Sequence, residues 1–366
     1  MAGHGHEPGM WPTGLDGANG APLEQLAWPP PPVHPQDRAK GTAGRNPSPA
    51  GNVAGLGPNG PAPDRAKYPW SSGPRGICKN VPVPKYPGAK EKLHWTGCKA
   101  RPMLLCNCKR GKFLMIRIEL LPAFKDNYIF LIHDGKQALV VDPADPKVVL
   151  DGLQERDLAL LAILNTHHHP DHVGGNRILK AQTQCQIYGP ANDADRIPAL
   201  DVGLSDGEEF EALGHKFIYL EVPGHTTGHG AYVAPDLKSA FVGDTLFALG
   251  CGRMFEGNPP MFWNSLCKLR HLPADTNIYC AHEYTLSNAK FALSVDPDNK
   301  ALKARIARFE DLRAEDTPTI PVRLSEEITT NPFLRADDED FQKILGLEGH
   351  QPSDVFAELR ARKDQF

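Results

Sequence analysis

No run of apolar residues in this 366-residue chain approaches the ~20 that a membrane-spanning helix needs. The longest, 158–164, has the length of a buried strand, so a membrane is excluded as a partner. Cysteine is sparse: eight in all, without the dense even spacing of a disulfide framework. The last four, Cys185, Cys251, Cys267 and Cys280, lie far apart, which suits a reducing compartment. Positive charge is scarce after residue 114, with 25 Lys+Arg against 38 Asp+Glu. That balance of -13 leaves no basic footprint for nucleic acid. No internal repeat is visible. A targeting signal is weak as well. No apolar segment follows Met1, and Glu7, Asp16 and Glu24 precede the first arginine, Arg38. The expectation is a cytoplasmic protein, or an organellar one (mitochondrial or plastid) if residues 1–114 are a genuine presequence.

Glycine and proline are abundant but uneven. Residues 1–114 hold 17 Gly and 19 Pro, against 33 of both in the remaining 252 positions, and carry 15 Lys+Arg to 6 Asp+Glu, a balance of +9. A segment so rich in Pro and Gly, without a period, cannot bury enough apolar area to offset its ordering entropy. It reads as a disordered extension, or as upstream sequence ahead of a start at Met115. Cys98, Cys106 and Cys108 match no common zinc spacing and read as solvated thiols. About 250 residues are left to fold.

From Met115 the pattern changes. Ile116, Ile118 and Leu120 alternate with polar residues, and apolar runs at 128–133 and 138–141 complete a three-stranded meander. Helical and strand signals then interleave: helix 147–154, strand 158–164, helix 173–181, strand 185–188, strands at 217–222, 230–233 and 240–242, a helix near 261–272 and a strand at 277–280. This is layered α/β packing. After about residue 287 the strands stop, and helices at 286–295, 299–313, 338–345 and 352–363 suggest a helical appendage.

Chemistry concentrates in Asn165-Thr-His-His-His-Pro-Asp-His172, directly after an apolar strand. Residues two apart in an extended segment share a side, so His167 and His169 face one ion while His168 points elsewhere. Pro170 turns the chain and presents Asp171 and His172 to a second. A lone histidine is usually a surface or satisfied core residue. Four of them with an aspartate in six positions are not, because burying so many polar groups uncompensated is costly. Downstream, His225, Asp244 and His282 each sit in a turn after an apolar run. The seven N/O donors, with no thiolate, suit two adjacent divalent ions, Zn first, with Fe or Mn as alternatives. Asp142 ends a strand and reads equally as a carboxylate that orients an imidazole or as a turn cap.

This set resembles the metallo-β-lactamase superfamily, and within it the glyoxalase II (hydroxyacylglutathione hydrolase) family. The likeness extends over Lys125-Asp-Asn-Tyr128, Gly243-Asp-Thr-Leu-Phe247, Cys251-Gly-Arg-Met-Phe-Glu-Gly257, Ala281-His-Glu-Tyr284, Asn331-Pro-Phe-Leu-Arg335 and Arg362-Lys-Asp-Gln-Phe366, from residue 115 to the end. It implies a four-layer αββα sandwich over 115–286, with a helical substrate-binding domain over 287–366. It implies that His167, His169 and His225 bind one metal, that Asp171, His172 and His282 bind the other, and that Asp244 and a water bridge them. Arg253, Phe255, Tyr284 and Arg335 match positions that contact glutathione. Some members have Lys and Tyr where this chain has Arg253 and Phe255, and four acidic residues follow Arg335 at 337–340.

The activity so implied is hydrolysis of S-(2-hydroxyacyl)glutathione, such as S-D-lactoylglutathione, to glutathione and a 2-hydroxy acid, the second step of methylglyoxal detoxification, by a monomer. A thiolate leaving group with a pKa near 8.5 needs little help from a general acid. The alternatives are a mononuclear-iron persulfide dioxygenase of the same superfamily and a non-catalytic scaffold.

Overall fold

A computed structural model describes residues 115–366. The expectations for residues 1–114, including the three cysteines there, fall outside the described residues. The first sheet opens with β1 (Arg117–Ala123), β2 (Asn127–His133) and β3 (Gln137–Val141), an antiparallel meander. Asp145 caps α1 (Pro146–Glu155) by accepting from Lys147 N at 2.8 Å, with Pro146 in the first turn. β4 (Ala159–Leu164) then pairs parallel with β3.

The helix expected over 173–181 is two: α2 (Pro170–Val173) and α3 (Asn176–Thr183). They part at Gly174-Gly175, where a Cβ would lie 2.7 Å from Ala144 O and 2.6 Å from Pro143 O. Only glycine allows the metal-loop segment to press so closely on the β3–α1 turn. β5 (Gln186–Pro190) and β6 (Val202–Leu204) complete the sheet in the order β1-β2-β3-β4-β5-β6.

The second sheet holds β7 (Glu209–Ala212), β8 (His215–Glu221), β9 (Gly230–Ala234) and β10 (Ser239–Gly243) as antiparallel neighbours. A hairpin of β11 (Leu246–Phe247) and β12 (Gly250–Cys251) and helix α4 (Pro259–Arg270) precede β13 (Asn277–Cys280), which joins the sheet parallel to β10. α5 (Thr285–Val295) and α6 (Lys300–Ala314) follow. Strands do not stop at residue 287: β14 (Val322–Arg323) adds antiparallel to β13. Two residues after Pro321 are too few to show an alternating pattern. α7 (Leu324–Thr330), α8 (Glu339–Leu345) and α9 (Pro352–Gln365) end the chain.

β2 is buried on both faces, and its side chains divide by parity. Phe130 and Ile132 enter the core between the sheets, while Ile129 and Leu131 join Val149 and Leu153 of α1 and Leu179 of α3. Phe130 meets Phe241 of the facing sheet at 5.6 Å and Tyr279 at 5.4 Å, between ring centroids. Phe262, Leu266 and Leu269 of α4 cover the second sheet from outside. The result is the four-layer αββα sandwich. Each fully buried Phe contributes roughly 1.5–3 kcal/mol.

The C-terminal helices are tied in by polar groups as well as by packing. Glu327, fully buried, accepts from Leu249 N at 3.0 Å and Asn331 Nδ2 at 2.9 Å and pairs with Arg305. Asn331 also donates to Phe247 O and Gly250 O, at 3.2 and 2.9 Å. The Asn-Pro-Phe segment thus clasps the β11–β12 hairpin. Cys185, Cys251 and Cys280 are buried thiols. Among the described residues, no helix is long and apolar enough to cross a membrane.

Candidate metal centre

Strand ends deliver the donors. His167 and His169 follow β4, His225 follows β8, Asp244 follows β10 and His282 follows β13. Gly243 adopts φ +48°, and a Cβ there would lie 2.4 Å from Thr166 Oγ1. Glycine therefore lets β10 end against the metal loop with Asp244 beside it.

Two donor groups form. In the first, His169 Nδ1 lies 2.9 Å from His167 Nε2 and 3.1 Å from His225 Nε2. In the second, His282 Nε2 lies 3.5 Å from Asp171 Oδ2, and His172 Nε2 lies 3.8 Å from it. Asp244 stands between. Its Oδ2 is 3.5 Å from His225 Nε2, and its Oδ1 is 3.6 and 3.5 Å from His172 and His282 Nε2. His168 turns away as expected, to Asp193 Oδ2 at 2.9 Å.

The outward nitrogens fix which ring atoms face inward. His172 Nδ1 reaches Asp142 Oδ2 at 3.0 Å, His282 Nδ1 reaches Asp126 Oδ1 at 3.0 Å, and His225 Nδ1 reaches Arg253 O at 2.7 Å. Each acceptor requires the proton on Nδ1, which leaves Nε2 as a lone pair aimed at the centre. Thr166 Oγ1 donates to Asp142 Oδ2 at 2.7 Å and so accepts from His167 Nδ1 at 3.0 Å. Asp142 accepts from Thr166 N too, at 2.8 Å, so it both caps the turn and orients an imidazole.

His167 Nε2 and His225 Nε2 both turn lone pairs toward His169 Nδ1 within about 3 Å, a convergence of nitrogen donors that suits a cation. The buried His172 Nε2 and Asp244 Oδ1 have no hydrogen-bond partner among the described residues. Burial first, then neighbouring histidines, lowers the His167 and His169 pKa values, the latter to about 4, so both rings are neutral. Burial opposes charge on His172, yet Asp244, Asp142 and Asp171 outweigh it and push the ring up to about 9. Burial likewise opposes ionisation of Asp244, but His282, His172 and His225 hold it well below the usual carboxylate range. The second half of the centre calls for positive charge. The two donor sets fit a dinuclear metal site.

Three of the four expected substrate contacts border this centre. Phe255, 62% exposed, sets its ring 5.7 Å from His169 and 5.2 Å from His225. Tyr284 stacks on His282 at 4.7 Å, nearly parallel. Burial, then Asp126 and Asp244, push its phenol pKa up, so it stays a donor. Arg253 supplies the carbonyl that holds His225, and its exposed guanidinium lies 3.7 Å from Asp364. Arg335 is engaged differently. It pairs with Asp296 and Asp338, lies 4.4 Å over Phe341, and lines a cavity of about 1010 Å³ with Trp263 and His350.

Residues 124–282 match a profile described as the metallo-beta-lactamase superfamily, and residues 283–366 match one described as hydroxyacylglutathione hydrolase C-terminus. A hydroxyacylglutathione hydrolase of Methylococcus capsulatus is 51% identical over 254 residues, covering 69% of this chain and 99% of that protein. The chain belongs to the hydroxyacylglutathione hydrolase family of the metallo-β-lactamase superfamily. Family members of the same name from Pseudomonas aeruginosa and a Synechococcus strain are each 50% identical, covering 69% of this chain and all of theirs.

Around this hydroxyacylglutathione hydrolase centre, sequence reasoning misses four residues. Asp126 orients His282 across 156 positions of sequence. Asp193 holds His168. His229, fully buried, accepts from Asp244 N at 3.1 Å, which puts its proton on Nδ1, facing Thr245 Oγ1 at 3.1 Å; it stacks on His167. Lys363 lies on the rings of Phe291 and Phe366, and burial together with Arg360 and Arg253 lowers its pKa. Asp126 stood in the Lys125-Asp-Asn-Tyr128 motif and Lys363 in Arg362-Lys-Asp-Gln-Phe366, neither singled out; Asp193 and His229 carried no local signal.

Proposed function

We propose that this chain hydrolyses S-(2-hydroxyacyl)glutathione, such as S-D-lactoylglutathione, to glutathione and a 2-hydroxy acid. The observation that carries the reading is the pair of donor sets sharing Asp244, in a chain about 50% identical to hydroxyacylglutathione hydrolases along their whole length. His167, His169 and His225 would hold one ion and Asp171, His172 and His282 the other, with Asp244 available to both. Imidazole and carboxylate donors without thiolate favour Zn, with Fe or Mn fitting the same set. Two such ions supply what a thioester needs, a lowered water pKa and a polarised carbonyl oxygen.

The chain's own side chains do the rest. Asp171 and Asp244 lower the net charge of the centre and orient the attacking water. Asp142 and Asp126 hold His172 and His282 in the tautomer that points a lone pair inward. Phe255 and Tyr284 flank the two halves. Arg253, held only at 3.7 Å by Asp364, and Lys363, whose pKa burial, Arg360 and Arg253 lower, offer positive charge to the carboxylates of the tripeptide. Arg335 takes a share only by leaving Asp296 and Asp338. On this reading 115–286 carry the chemistry and 287–366 complete the substrate site, in a cytoplasmic monomer. The complete second donor set weighs against a mononuclear dioxygenase and a silent scaffold. Metal analysis and S-D-lactoylglutathione turnover on the purified full chain test the reading. Protein that holds two ions yet leaves the thioester intact refutes it.

A further inference from the structure

The segment 252–257 brings Arg253 and Phe255 to the centre, and the next residue, Glu256, has no part in the chemistry above. Its carboxylate is nonetheless closely held. Oε2 accepts from Thr227 N at 2.8 Å, from Thr227 Oγ1 at 2.9 Å and from Arg196 Nη2 at 3.2 Å, while Oε1 accepts from Arg196 Nη1 at 2.5 Å. The guanidinium of Arg196 turns its remaining edge to Asp193, Nε donating to Oδ1 at 3.1 Å. Asp193 is itself buried and receives His168 Nδ1 at 2.9 Å. It packs so tightly on Gly228 that a Cβ there would lie 2.2 Å from its Cγ.

A continuous chain therefore runs from the middle histidine of the metal loop through Asp193 and Arg196 to Glu256, and on to Thr227, two residues past His225. The same segment is also pinned to the His225 turn by Phe255 N to His225 O and Gly257 N to Gly224 O, both 3.2 Å, and by Arg253 O, which accepts from His225 Nδ1. A planar guanidinium holds two carboxylates in a fixed fork geometry, which the ammonium of lysine does not impose.

Arg196 also solves an electrostatic problem. Glu256 is partly exposed beside Phe255, where an anionic substrate would pass. Unpaired, it would repel that substrate in full; paired with a guanidinium it shares with Asp193, its charge is offset in part.

We propose that Arg196 and Glu256 are a positioning pair that fixes segment 252–257 in register with the metal loop, and that Arg196 masks the Glu256 charge from the anionic substrate. This rests on the thioesterase reading for the masking arm alone. The fixing arm is a property of the fold.

The test uses the full chain and three variants: Glu256→Gln, Arg196→Gln and the double substitution. Metal content and thermal midpoint are measured beside kcat and KM for S-D-lactoylglutathione, together with amide hydrogen exchange over 252–257. Glu256→Gln should keep both ions, leave kcat within about twofold, raise KM about fivefold and speed exchange in 252–257. Arg196→Gln should raise KM further, about tenfold or more, because it uncovers an anion. Adding Glu256→Gln to it should bring KM back down, and the gap between single and double variants should shrink in salt. Unchanged exchange in 252–257 overturns the fixing arm, whatever the activity. A double variant no better than Arg196→Gln overturns the masking arm. A fall in kcat and melting point at constant KM reveals a merely structural network and overturns both. Wild-type protein with two ions and no thioesterase activity defeats the functional reading and the masking arm with it, while exchange still judges the fixing arm.

Discussion

Replacing Asp142 by Asn isolates one proton. The residue is 2% exposed and sits at φ +50°, a conformation that Asn tolerates as well as Asp, so the backbone has no reason to move. Oδ1 accepts from Thr166 N, and that backbone donor cannot reverse its role. The amide oxygen of Asn must therefore take this position, and its NH2 then replaces Oδ2, facing Thr166 Oγ1 and His172 Nδ1. The hydroxyl can rotate to accept. The imidazole can accept only by moving its proton to Nε2, the atom that faces the metal. Binding an ion then requires breaking that new hydrogen bond and burying an unsatisfied donor, at about 1–3 kcal/mol. With 1.4 kcal/mol per factor of ten, affinity at the second site should fall roughly 10- to 100-fold, the range usual for such orienting carboxylates. Metal titration of Asp142→Asn should find the ion at Asp171, His172 and His282 weakened by this factor, with thioester turnover reduced in parallel. Two ions bound with unchanged affinity would refute the tautomer argument.

Other consequences are open to simpler assays. Glu327→Ala strands Arg305 in the interior and should destabilise the chain by about 3–5 kcal/mol in urea unfolding. Arg196, then Thr227, hold the Glu256 pKa down at about 2 from an ordinary 4.5. Because the folded value is the lower one, the interaction contributes fully above about pH 4.5 and is lost as pH falls toward 2. Glu256→Gln should therefore lower stability at pH 7 but flatten its decline across that window, as followed by thermal midpoint against pH. A chain beginning at Met115 should retain the kcat/KM of the full chain, since every proposed ligand and substrate contact lies beyond that residue; a loss above about tenfold would give residues 1–114 a catalytic part.

The candidate donors stood out because four of them crowd into 167–172 and the others follow apolar runs, so local spacing alone brings each to a strand end. Most strands and helices were legible for the same reason, through alternation and helical period. What escaped depends on contacts distant in sequence. His229 looks like any strand-flanking histidine until it is seen accepting from Asp244, and Asp193 acquires its role only when α2 turns His168 toward it. β14 is too short to carry a pattern. The break between α2 and α3 was written in Gly174-Gly175, but which carbonyls they approach is a matter of packing. Arg335 shows the converse: its motif was conspicuous, yet the charges that engage it, Asp296 and Asp338, come from other turns of the chain.

The proposed metal donors belong to both sheets: His167 and His169 extend from the first, and His225, Asp244 and His282 from the second. His169 and His225 are 56 positions apart, a long loop to close before any reward is gained. The complete sets therefore form only after the two sheets have docked, so an ion that needs His225, Asp244 or His282 acts as a late lock, and in refolding the recovery of activity should lag behind that of the hydrophobic core.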